Sequence, residues 1–73
     1  MNEPIHCGQS ADRGVEIWAG SQCLGRATTS QEAYQLALVM LMGPQKIGDV
    51  LIRDERIRMH IARCALTYIL EDG

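Results

Sequence analysis

The sequence predicts an α+β fold: a small two-layer domain of order ββαββα, its antiparallel sheet carrying two helices on one face. Three observations point there. Apolar and polar residues alternate from Val15 around a Gly20-Ser21 turn. A capping box at Thr29 to Glu32 opens a helix that Gly43-Pro44 closes. From Val50 onward, strand-like alternation gives way to helical spacing as far as Glu71. A β-hairpin followed by two or three helices is the competing arrangement.

The first thirteen residues, MNEPIHCGQSADR, hold only two large apolar side chains among Pro, Gly, Ser and charges. Too little burial is available there to offset the ordering entropy, so residues 1–13 are expected to form a flexible arm and residues 14–73 the domain. Val15, Ile17 and Ala19 then fall on one strand face, with Glu16 and Trp18 on the other. A glycine at the first central position suits a two-residue hairpin loop, which places Ile17 opposite Leu24 and Trp18 opposite Cys23.

The Thr29 hydroxyl can accept from the free amide at Glu32 while that carboxylate reaches back, so a helix begins here. Ala33, Leu36, Ala37, Met40 and Leu41 are expected to form its core face, and Gly43 a left-handed cap. Tyr34, Leu38 and Met42 recur at i, i+4 and i+8 and add a second apolar stripe, more than one contact needs. After Lys46 the preferred reading is a hairpin, Val50 to Arg53 and Arg56 to Met59, turning at Asp54-Glu55, with a helix from His60 to Glu71. A continuous helix capped by Asp54 is the alternative, but it would aim Asp54, Glu55 and Arg58 at the apolar arc of Ile61, Ala65 and Ile69.

At 73 residues with no Phe, one Trp and two Tyr, the chain has little core to spare for a rigid catalytic pocket, and the sequence predicts no enzyme and no cofactor. The opening residues lack a basic start and a continuous apolar run, and the longest apolar run, Leu36 to Met42, is far too short for a membrane span, so a cytoplasmic protein is expected. Three cysteines, an odd number and widely spread, read as reduced thiols. Adjacent His6 and Cys7 cannot easily face one ion, and no C-x-x-C spacing occurs, so no metal site is predicted. Cys64 lies one turn from His60, an arrangement more common for an inert core thiol than for an activated one. The segment Gly43 to Asp49 lacks the Lys-Ser/Thr ending of a phosphate loop and follows a helix rather than a strand.

The surplus apolar surface points to partner binding, with Trp18, Tyr34, Leu38 and Met42 as anchors and Arg56, Arg58 and Arg63 setting register. Strand alternation would align Arg56, Arg58 and His60 on one face. A homodimer and a second protein with an acidic surface are the expected partners. A nucleic-acid regulator using Arg53, Arg56, Arg58 and Arg63 is the alternative, opposed by the net charge of −2 and by the intervening Asp49, Asp54 and Glu55; an accessory subunit of a larger enzyme is a further one. The run GVEIWAGSQCLGRATTSQEAYQLAL resembles the hairpin-helix half of HicB-like antitoxins and of some anti-CRISPR inhibitors, phage- or mobile-element-encoded domains. That resemblance covers about a third of the chain without a diagnostic residue, and implies a stoichiometric regulator or inhibitor that blocks another protein's site.

Overall fold

The computed structural model describes residues 4–9 and 14–72. They form an α+β domain in the order β1 (Ile5–Gln9), β2 (Val15–Ala19), β3 (Gln22–Ala27), α1 (Ser30–Met42), β4 (Gln45–Ile47), β5 (Val50–Ile52) and α2 (Glu55–Asp72). The strands make two antiparallel sheets, β1-β2-β3 and β4-β5, rather than the single four-stranded sheet expected. Val15, Ile17, Ala19, Leu24 and Ala27 line the buried face of the larger sheet, and both helices pack there.

β1 falls where the sequence predicted a flexible arm. Its composition is poor in apolar side chains, but pairing supplies what composition lacks: His6 lies opposite Trp18, Cys7 opposite Ile17 and Gly8 opposite Glu16. The Gly20 amide also donates to the Pro4 carbonyl at 3.0 Å. The remainder of that predicted arm, residues 1–3 and 10–13, lies outside the described residues.

The first hairpin turns at Gly20-Ser21 with Gly20 at φ 60°, and Trp18 faces Cys23 as the two-residue loop requires. Ile17, however, pairs with Gly25 and not with Leu24. The register shift makes Leu24 the extra residue of a bulge, which turns both Leu24 and Ala27 into the core although they stand three apart. Arg26 is thereby sent to the outer face, where it meets Glu16 at 3.3 Å.

α1 begins as its sequence predicts. The Glu32 amide donates to Thr29 Oγ1 at 3.1 Å, and the Glu32 carboxylate accepts from the Thr28 amide at 3.0 Å, one residue earlier than in the usual box. Ala33, Ala37 and Met40 are buried and Leu36 is half-buried, but Leu41 is exposed, contrary to its assignment to the core face. Gly43 ends the helix at φ 140°, ψ −170°, a region open essentially to glycine alone, instead of the left-handed cap expected.

The second hairpin turns at Gly48-Asp49, not at Asp54-Glu55, and repeats the logic of the first: a two-residue loop with a positive-φ glycine leading. It packs on β3, where the Ile47 side chain covers Gly25 and Gly48 sits against the Leu24 backbone. Asp54 instead caps α2. Its carbonyl accepts from the Arg58 amide at 3.0 Å, and its carboxylate accepts from the Arg56 amide at 2.9 Å. Residues 56–59, predicted as strand, are the first turns of one long helix.

Arg58 explains why that helix is tolerated. The half-buried side chain lies on the core side, as the periodicity implies, but its guanidinium reaches across to donate to the Met40 carbonyl at 3.2 Å and to the Arg53 carbonyl. A cation at the last turn of α1 thus satisfies carbonyls the helix end leaves open. At the other end, the buried Tyr68 hydroxyl donates to the Thr28 carbonyl at 3.3 Å. These two ties bring the end of α1 to the start of α2 and the reverse, so the helices run antiparallel.

Gly48→Ala should lower unfolding free energy by about 1–3 kcal/mol in urea denaturation, because it places a Cβ at positive φ and 3.3 Å from the Leu24 carbonyl oxygen. Gly8→Ala, which meets no atom within 4 Å, serves as the control. Equal stability of the two variants would contradict a turn at Gly48.

Candidate functional site

Two features stand out once the helices are placed. The first is the outward side of the helix pair. On α1, Leu41, Tyr34, Leu38 and Met42 follow one another around the helix next to the core-facing Ala37. On α2, Leu66, Met59 and Leu70 follow Ala62 in the same way. All seven side chains are exposed, Tyr34 by 54%, Leu38 by 44% and Met42 by 79%. In an antiparallel pair lying on one sheet face, both stripes turn away from the sheet and flank the valley between the helices. The packing of α2 on α1 therefore does not cover the second stripe of α1.

Trp18 does not join this surface. It sits half-buried on the helix-free side of the sheet, between His6 on β1 and Cys23 on β3. The arginines are divided as well. Arg56 and Arg63 are seven residues apart on one exposed side of α2, whereas Arg58 is committed to the Met40 and Arg53 carbonyls. Arg56 also meets the Asp54 carboxylate at 3.5 Å. The Arg56 amide, followed by its guanidinium, holds the Asp54 carboxyl below its ordinary range. The cap is therefore intact above the ordinary carboxylate pKa and is lost as pH falls through the lowered one. The strand face once expected to align Arg56, Arg58 and His60 does not form.

The second feature joins the pair His60 and Cys64, read from the sequence as an inert core arrangement, to a residue the sequence did not connect with it. Strand alternation turns Cys7 inward from β1 while His6 points out, and α2 places His60 and Cys64 one turn apart facing it. One ligand atom from each of Cys7, His60 and Cys64 lies within 4.8 Å of the other two, and Cys64 Sγ stands 3.8 Å from His60 Nε2. The three border a cavity of about 350 Å³ also lined by Gly8, Val15, Arg63, Thr67 and Tyr68. Burial pushes the Cys7 thiol up to about 12, with its hydrogen bond to Cys64 and repulsion from that sulfur adding to the effect. A raised thiol pKa means the folded state keeps the proton longer. Its stabilising effect holds below the ordinary value of 9.0 and is lost as pH rises toward about 12. Local spacing pairs His60 with Cys64 but could not reveal that Cys7 joins them, because it comes from the opposite end of the chain.

Fold and site together define a small α+β domain with an uncovered apolar helix face on one side and a two-thiol, one-imidazole cluster on another. No protein-family model, curated protein or solved structure matches the chain. Among the described residues, no helix is long and apolar enough to cross a membrane.

With metal ions removed by a chelator, timed alkylation at about pH 8 should modify exposed Cys23 first and Cys7 last, since the thiolate is the reactive form. Peptide mass spectrometry reads the order. Labelling of Cys7 as fast as Cys23 would contradict both its burial and its raised pKa.

Proposed function

We propose that this domain is a small non-catalytic protein-binding module, a cytoplasmic stoichiometric regulator that closes into a twofold homodimer through its outward helix face. The observation that carries the reading is the run of exposed apolar side chains across both helices, Tyr34, Leu38, Leu41 and Met42 facing Met59 and Leu66 across the valley. None of these positions carries a charge, so the complementary surface must itself be apolar. A second copy supplies such a surface at equal concentration, and isologous twofold pairing is the commonest way to close one. Contiguous apolar patches of this kind on small domains mark interaction sites.

Arg56 and Arg63, exposed on the side of α2 beside Met59 and Leu70, then border the seam and remain available to a target with an acidic surface. Trp18, on the opposite layer, is a separate contact. The nucleic-acid reading is weaker because Arg58 is already spent on backbone carbonyls and Arg56 leans on Asp54.

Light scattering on a sizing column should give twice the chain mass of 8.1 kDa. Leu38→Ala combined with Met42→Ala should weaken the dimer at least tenfold, by roughly the loss of one interface anchor, while leaving the circular dichroism spectrum folded. A monomeric wild type would remove the dimer, and an unfolded double variant would place those side chains in the core.

A further inference from the structure

We propose that Cys7, His60 and Cys64 form a zinc site that staples strand β1 to helix α2 and leaves one coordination position open to the adjoining cavity.

The geometry matches the ion. Tetrahedral zinc with bonds of about 2.3 Å to sulfur and about 2.05 Å to imidazole nitrogen holds sulfur and nitrogen roughly 3.6 Å apart and two sulfurs roughly 3.8 Å apart. Cys64 Sγ and His60 Nε2 stand at 3.8 Å, and every pair in the cluster lies within 4.8 Å. Closing the set around an ion draws the ligand atoms in by roughly 1 Å at most from these separations. His60 and Cys64 are four residues apart on α2, a spacing that presents two ligands on one helix face. Cys7 completes the set from β1, held in place by its ladder with Ile17.

The donor types narrow the choice of metal. Two thiols and an imidazole select a thiolate-preferring ion over magnesium or calcium, which take oxygen ligands. On binding, each thiol releases its proton to solvent, and two thiolates with Zn²⁺ make a locally neutral centre, which suits the two half-buried thiols. Three protein ligands leave a fourth position, and the 350 Å³ cavity beside the cluster provides room for a water molecule there. Gly8, next to Cys7, has open space where a Cβ would stand.

The staple also answers a mechanical need. β1 is an edge strand with few apolar side chains, and a domain this small gains disproportionately from a metal that joins distant segments. Cys23, exposed on the outer face and away from the cluster, is an internal control.

The experiment starts from the full chain, reduced and freed of metal with a chelator, and titrates Zn²⁺ and, separately, Co²⁺. One equivalent should bind, with cobalt giving a near-ultraviolet thiolate charge-transfer band and visible absorption of tetrahedral strength. Zinc should raise the thermal midpoint and slow alkylation of Cys7 and Cys64 while leaving Cys23 reactive. His60→Ala changes an exposed residue and should weaken binding by at least about tenfold with the fold intact, while Cys64→Ser should weaken it by more than about a hundredfold. Cys23→Ser should bind as wild type does. A reduced wild type that takes up no zinc, uptake indifferent to His60 and Cys64, or recovery of Cys7 and Cys64 from cells as a disulfide would each overturn the site.

Discussion

The second half of the molecule depends on where the guanidinium of Arg58 goes. A helix running unbroken from Glu55 places that side chain on its core side, and an unpaired cation there would be prohibitive. The end of α1 supplies the solution, because the Met40 carbonyl lies among those its helix cannot satisfy internally. With the Arg53 carbonyl as second acceptor, one side chain joins three segments: the last turn of α1, the end of β5 and the first turn of α2. Two liabilities, a charge near the core and an open helix end, cancel.

Fixing the start of α2 fixes the rotation of everything along it. Ile61, Ala65 and Tyr68 turn into the core, with Tyr68 closing the far end of the helix pair on the Thr28 carbonyl. His60 and Cys64 then fall on the flank facing β1, and Met59 and Leu66 on the outward flank. Had the chain broken near Met59, as a charge-avoiding reading of the sequence prefers, His60 would have opened the helix with no preceding turn, anchored by Arg58, to set its rotation toward Cys7. Small side chains contribute as well: Ala33, Ala37, Ala62 and Ala65 are all buried, which lets a chain without phenylalanine close its core by approach of the backbones rather than by bulk.

The elements legible in the sequence are those whose signals are local. The Gly20-Ser21 turn, the Thr29 cap and the Gly43 stop each need only a few neighbouring residues, and each stands where the sequence places it. Gly48-Asp49 carried the same kind of turn signal as Gly20-Ser21, but the alternation around it spans only three residues on each side and was weaker than the longer, misleading alternation that runs through Arg56 and Arg58. The Leu24 bulge leaves no mark that separates it from regular pairing. β1 and the cluster at Cys7 were illegible for a different reason: what orders Ile5 to Gln9 is a partner strand, and what faces Cys7 is a helix from the far end of the chain. The excess of apolar helix surface, by contrast, follows from composition and period alone, and Tyr34, Leu38 and Met42 are exposed as that count implies.

The two candidate sites use different sides of the same helix and share none of their defining side chains. Cys64 and Leu66 are two residues apart, roughly 200° around α2, so the first looks toward β1 and the second out over the valley shared with α1. An ion held by Cys7, His60 and Cys64, as proposed, would tighten the edge of the sheet without touching the apolar face, and a second copy docked on that face would leave the thiol cavity open. Arg63 lies between them: it lines the thiol cavity and stands beside Met59 and Leu70 around α2. A target that engaged Arg63 would therefore stand at the rim of the thiol cavity, beside the ion proposed there.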